Sequence, residues 1–242
     1  MINTIIFASF FLTLSKPLLM DFQLSFKVND KIYLRDPESS DLGKQIVKHS
    51  IDLIYELGFE SFTFKKLATH MHTTEASVYR YFENKHMLLL YILNWYWSYM
   101  EFLVEFRLQN MTDKKSRLLT IIDLLTHALP ESSGKLDYNK KFLYQIVISE
   151  SSKVYLVKDV NEYNKNEVFK PYKELCSKIA ELIKAYKPSY KFPRSLSSTL
   201  IEASHQQHFF VEHLPRLTDV QSKSAEKYTA QFLTELLLKA LS

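Results

Sequence analysis

From Ile46 onward the chain reads as apolar residues at helical spacing separated by short breaks. Ile46, Val47, Ile51, Ile54 and Leu57 recur at the period of a helix with one buried face, and Gly58 predicts where that helix ends. Thr63 predicts the cap of a short helix over 64–70, Thr74 the cap of another to about Tyr81, and Asn84 the cap of a long helix from Lys85 to roughly Leu108. Further helices are expected at about 113–129, 137–158, 161–186, 195–213 and 218–241, with breaks at Pro130 and Gly134, Pro188, Pro193 and Pro215.

Upstream the period changes. Leu24, Phe26 and Val28 alternate with polar residues, Asn29-Asp30 intervenes, and Ile32 and Leu34 alternate again. This pattern predicts a short N-terminal β-hairpin over 23–35. Asp36–Asp41 reads as a linker whose serines cap the first helix. Before it, Ile2–Leu14 is apolar, too short to span a bilayer and preceded by no basic residue. Three readings stay open there: translation starting at Met20, an extension that packs or hangs free, or export.

Composition agrees with the helical pattern. Three Gly and seven Pro in 242 residues are too few for a many-stranded sheet with tight turns, so the expected fold class is all-α. The 15 Tyr and 17 Phe give ample bulk for a core. Cys176 is the single cysteine, which excludes an intramolecular disulfide and fits a reducing cytoplasm. No glycine-rich phosphate loop, nucleophile elbow or paired-cysteine motif occurs, so neither an enzyme nor a cofactor is expected. His70, His72 and His86, and likewise His205, His208 and His213, lack a ligand spacing that would predict a metal.

The net charge of +4 does not point to nucleic acid by itself, because residues 41–86 carry six basic and six acidic side chains. Placement is more informative. Between Thr63 and Phe82 two short helices meet at a tight turn, with small Ala68 where they would cross and Leu67, Val78 and Phe82 as apolar anchors. Glu75, Ala76, Ser77, Tyr79 and Tyr81 are left as short or hydrogen-bonding side chains on a face the core does not need. A helix presented in this way fits a DNA major groove.

The helix ending in Leu57-Gly58-Phe59, the Thr63 cap, Leu67-Ala68, the run Val78-Tyr79-Arg80-Tyr81-Phe82 and Lys85 closely resemble the TetR-family DNA-binding domain over about residues 41–90. The resemblance implies an all-helical homodimer with a three-helix N-terminal helix-turn-helix domain and a C-terminal domain over 91–242. That domain would bind an unknown small-molecule effector, and subunits would pair through about 195–213 and 218–241. Residues 1–40 would be an extension, with no membrane role. The implied activity is ligand-responsive repression at an inverted repeat in double-stranded DNA.

Carried over residue by residue, the resemblance assigns phosphate contacts to Thr63, Tyr79 and Lys85. It places Lys65, Glu75, Ala76, Ser77 and Tyr81 toward bases or the adjoining backbone, with Thr74 at the helix start. Two positions depart from the family pattern. His72 stands where a turn glycine is usual, and Glu75 puts a carboxylate near phosphates, where it repels unless it accepts from a cytosine amino group. The balanced charge of 41–86 keeps a rival open: a protein–protein module whose DNA-binding-like domain has lost DNA affinity. Trp95, Tyr96, Trp97, Tyr99 and Phe102 on the long helix read either as one wall of an effector pocket or as ordinary core.

Overall fold

The computed structural model describes residues 26–127, 138–220 and 225–242, and every described element is helical. Eleven α-helices run α1 Asp41–Leu57, α2 Phe64–His70, α3 Glu75–Tyr79, α4 Lys85–Leu108, α5 Lys114–Thr126, α6 Lys140–Glu150, α7 Ser152–Tyr155, α8 Val160–Lys165, α9 Lys170–Tyr186, α10 Pro193–His213 and α11 Ala225–Ala240. Helix α1 packs on α2 and α4, and α2 packs on α3. The C-terminal half of α4 runs into a bundle with α5, α9, α10 and α11, and α6 bridges the bundle to α1.

Helix starts follow the capping residues. The side chains of Ser40, Thr63, Thr74, Asn84, Asp113 and Asn139 each accept a backbone N–H from the first turn of the helix that follows. Helix α1 ends at Gly58, whose φ of 74° is open to glycine and strained for other residues. The long helix α4 buries fifteen side chains around its circumference, so it is the axis on which both halves pack.

The N-terminal hairpin is not formed. Residues 26–40 instead carry two single turns of 3-10 helix, Asp30–Ile32 and Pro37–Ser39, each started by an acceptor side chain, Asn29 and Asp36. Ladder pairing is replaced by docking on α4. Val28 and Ile32 are buried, and the Phe26 ring meets Trp95 edge-on at 5.4 Å. The Leu34 N–H donates to the Tyr81 carbonyl at 2.7 Å. The stretch read as a linker is likewise packed. Pro37 is buried against α1, and its carbonyl lies so near Gly43 that a Cβ there would sit 2.3 Å away. Residues 1–25 of the N-terminal readings, and Pro130 with Gly134, lie outside the described residues.

Two expected long helices are each divided. The segment 137–158 forms α6 and α7, and 161–186 forms α8 and α9. At the second division Glu167 takes a φ of 56°, which turns the chain sharply before α9. Local apolar spacing is compatible with continuous helices there. Burial of Val154 and Val168 against the bundle selects the bent path.

Candidate nucleic-acid interface

Helices α2 and α3 cross with Leu67, Ala68 and Val78 at their contact, all nearly inaccessible to solvent. The turn between them places His72 at a φ of 52°, the left-handed conformation that a glycine would adopt without cost. The Thr73 N–H returns to the Ala68 carbonyl at 2.9 Å and closes the turn. Thr74 then caps α3 by accepting from the Ser77 N–H, and Thr63 caps α2 by accepting from the Lys66 N–H. Each cap uses the hydroxyl oxygen as acceptor.

Lys65, Thr74, Glu75, Ala76, Tyr79 and Arg80 are exposed together with Thr63, and Ser77 is half-buried. Tyr79 is 48 % exposed and holds its ring edge-on to Phe64 at 5.0 Å, so a packed ring carries an outward hydroxyl. Arg80, the one basic residue directly after α3, belongs to this exposed group and was not among the residues singled out from sequence. Its charge beside the motif was the signal that could have found it. Lys66 is held back by a bond from its ammonium to the Ser61 carbonyl at 2.7 Å.

Two of the expected contact residues point elsewhere. Tyr81 is only 2 % exposed, and its hydroxyl shares a 2.7 Å hydrogen bond with Ser40 Oγ at the start of α1. Arg35 lies over its ring at 5.3 Å. Lys85 donates from its ammonium to the carbonyls of Phe59, Glu60 and Phe62 at 2.9, 2.9 and 3.1 Å. It thereby satisfies the acceptors of the α1–α2 loop. Both residues hold the three-helix unit together, and the reason is long-range: their partners lie more than twenty positions upstream.

Behind α2, burial lowers the His49 imidazole below its usual range, helped by neighbouring His70, whose ring is 5.1 Å away. Burial also raises the carboxyl of Asp52. Among the described residues no group of histidine, cysteine and carboxylate side chains could hold a metal, and no helix is long and apolar enough to cross a membrane. His205 does not form a subunit surface. It is 4 % exposed inside its own chain, with its ring 5.6 Å from Trp97. His208 Nε2 donates to the Thr126 carbonyl at 2.8 Å. Of the aromatic run on α4, Trp95, Tyr96 and Tyr99 are core, whereas Trp97 borders a cavity.

Comparison with known proteins agrees with this geometry. Residues 46–92 match the family described as bacterial regulatory proteins, tetR family. No curated protein matches the chain by sequence. Among solved structures, AibR in complex with isovaleryl coenzyme A and operator DNA aligns with a TM-score of 0.55 at 14 % identity, over 80 % of this chain and 97 % of that one. A putative regulator from Saccharomonospora viridis in complex with choline aligns at 0.56 and 18 %, covering 81 % and 94 %. The fatty acid degradation regulator FadR from Bacillus halodurans aligns at 0.54 and 16 %, covering 81 % and 95 %.

Proposed function

We propose, from the premise that this chain is a TetR-family transcriptional regulator and so a DNA-binding protein and not an enzyme, that it is a homodimeric, ligand-responsive repressor in the bacterial cytoplasm. Its operator is an inverted repeat in double-stranded DNA. Residues 41–90 bind the DNA, and 91–242 pair the subunits and take the effector. The exposed face of α3, with Glu75, Ala76 and Tyr79 outward while Val78 and Phe82 anchor the helix, is the observation that carries this reading.

Within the interface, Thr63 and Tyr79 contact phosphates through their hydroxyls. Lys65, Thr74, Glu75, Ala76 and Ser77 meet bases or the adjoining backbone. Arg80 joins them, and Tyr81 and Lys85 act as structural supports. Dimerisation uses α10 and α11; Leu214 and Leu217, in the turn just after α10, and Phe232 of α11 leave apolar surface in solvent. Structures of similar fold have been solved with operator DNA, with an acyl-coenzyme A and with choline, which supports an effector-binding C-terminal half here.

Selection of genomic fragments by the purified chain, followed by mobility shift and light scattering, tests the reading. The expected result is retention of a fragment containing an inverted repeat, by a particle of about twice the 28.6 kDa chain mass. Uniform weak binding to all fragments would favour the protein–protein module instead.

A further inference from the structure

Trp97 of α4, Tyr155 of α7, Phe169 just before α9 and Tyr172 of α9 wall one small cavity in the C-terminal half. The Trp97 and Tyr172 ring centroids are 4.9 Å apart, and Tyr155 lies nearly parallel to Tyr172 at 6.5 Å. Both tyrosine hydroxyls donate to the same carboxylate, Glu202 of α10, at 2.9 and 2.7 Å. Burial first, and Glu202 second, push both phenols well above their ordinary pKa, so they remain protonated donors. Donation to a carboxylate enriches the rings in electrons, which strengthens their attraction for a cation on their faces.

No Lys or Arg among the described residues pairs with Glu202. His205, beyond Trp97, is held neutral by burial, with its pKa lowered to about 3. The cavity also presents Asn94, whose Nδ2 donates to the Leu90 carbonyl at 2.9 Å while its Oδ1 is buried without a donor. Electron-rich ring faces, a carboxylate without a cation and an orphan amide oxygen make a site that accepts positive charge and repels anions. A neutral apolar ligand would leave both oxygens as they are.

We infer that this cavity is the binding site for a small organic cation, an alkylammonium whose charged group sits against Trp97, Tyr155 and Tyr172 with Glu202 as counter-charge. The inference rests on the proposed effector role of residues 91–242 and names the ligand class. The cavity holds about 20 Å³, enough for one water-sized group. Binding therefore displaces a wall, and α7 is the wall built to yield. It is four residues long, lacks a side-chain cap and leads into Leu156, which is 79 % exposed.

Isothermal titration of the full chain without DNA, using tetramethylammonium chloride against tert-butanol at matched ionic strength, tests the inference. Saturable binding of tetramethylammonium at one per chain is expected, with tert-butanol at least about tenfold weaker. Glu202→Gln and, separately, Tyr155→Phe are expected to weaken the cation, the first more than the second, and quenching of tryptophan fluorescence by the cation is expected to disappear in Trp97→Phe. Tyr155→Phe retains the ring and serves where Glu202→Gln fails to fold. Equal affinity for the two compounds, absence of saturable cation binding, or indifference to the substitutions would overturn it. Cation binding that leaves a DNA complex intact supports this site and counts against ligand-controlled repression only.

Discussion

Lys153 reaches from α7 to Glu60 in the loop after α1, its ammonium 2.9 Å from the Glu60 carboxylate. The same ammonium lies 2.8 Å from Glu150, whose other oxygen accepts the Phe59 N–H at 3.4 Å. Burial works against the Lys153 charge, but hydrogen bonds to Glu150 and Glu60 outweigh it and raise the pKa. The element that walls the aromatic cavity thus also holds the three-helix unit.

The two carboxylates of this contact are unequal. Glu150 is 7 % exposed, whereas the Glu60 side chain is 78 % exposed. Lys153→Met should cost about 1–3 kcal/mol in urea denaturation, since it strands the buried Glu150 carboxylate without its cation. Glu60→Gln should leave the midpoint nearly unchanged. Equal losses would show that the exposed pair, and not the buried one, carries the contact.

Lys85 provides a test of support against contact. Removing its three carbonyl bonds in Lys85→Met should destabilise the chain by about 1–3 kcal/mol and leave the salt dependence of DNA binding unaltered. A phosphate contact would instead lower the slope of log affinity against log salt by about one, with little change in stability. Denaturation and a salt-stepped DNA titration of the same variant separate the two.

The difference between Tyr79 and Tyr81 shows what the sequence pattern can and cannot resolve. Capping by Thr63, Thr74 and Asn84, the stop at Gly58 and the small Ala68 at the crossing are local features, and all were legible from residue type and spacing. So was the left-handed turn at His72. The inward roles of Tyr81 and Lys85 depend on Ser40 and on the 59–62 loop, which meet them only after the chain folds. The 26–40 segment misled for a related reason. Its apolar alternation suits a strand, but Val28 and Ile32 find burial on α4, and Asn29 and Asp36 cap tight turns instead. The cavity rests on three helices distant in sequence, α4, α7 and α9, of which only the Trp97 region was visible beforehand.

His205 makes stability depend on pH. Its folded pKa of about 3 lies below the 6.5 of a free imidazole, so on acidification the unfolded chain takes up the proton first. Its contribution is therefore complete above pH 6.5 and is lost as pH falls toward about 3, by at most about 1.4 kcal/mol per pH unit. Denaturation midpoints measured in steps across this window should fall less steeply for His205→Phe than for the unsubstituted chain. Identical slopes would mean that His205 is solvated or already charged in the fold.

DNA binding through the exposed face of α3 is tested most directly by anisotropy titration of a selected genomic fragment with the unsubstituted chain and with Ala76→Glu. Ala76 is exposed on that face, so a glutamate there fits the fold but sets a second carboxylate beside Glu75 against the phosphates and base edges. The expected result is an unchanged melting temperature and a loss of at least about a hundredfold in affinity for the selected fragment. Unaltered affinity for that fragment in Ala76→Glu would show that α3 does not enter the groove.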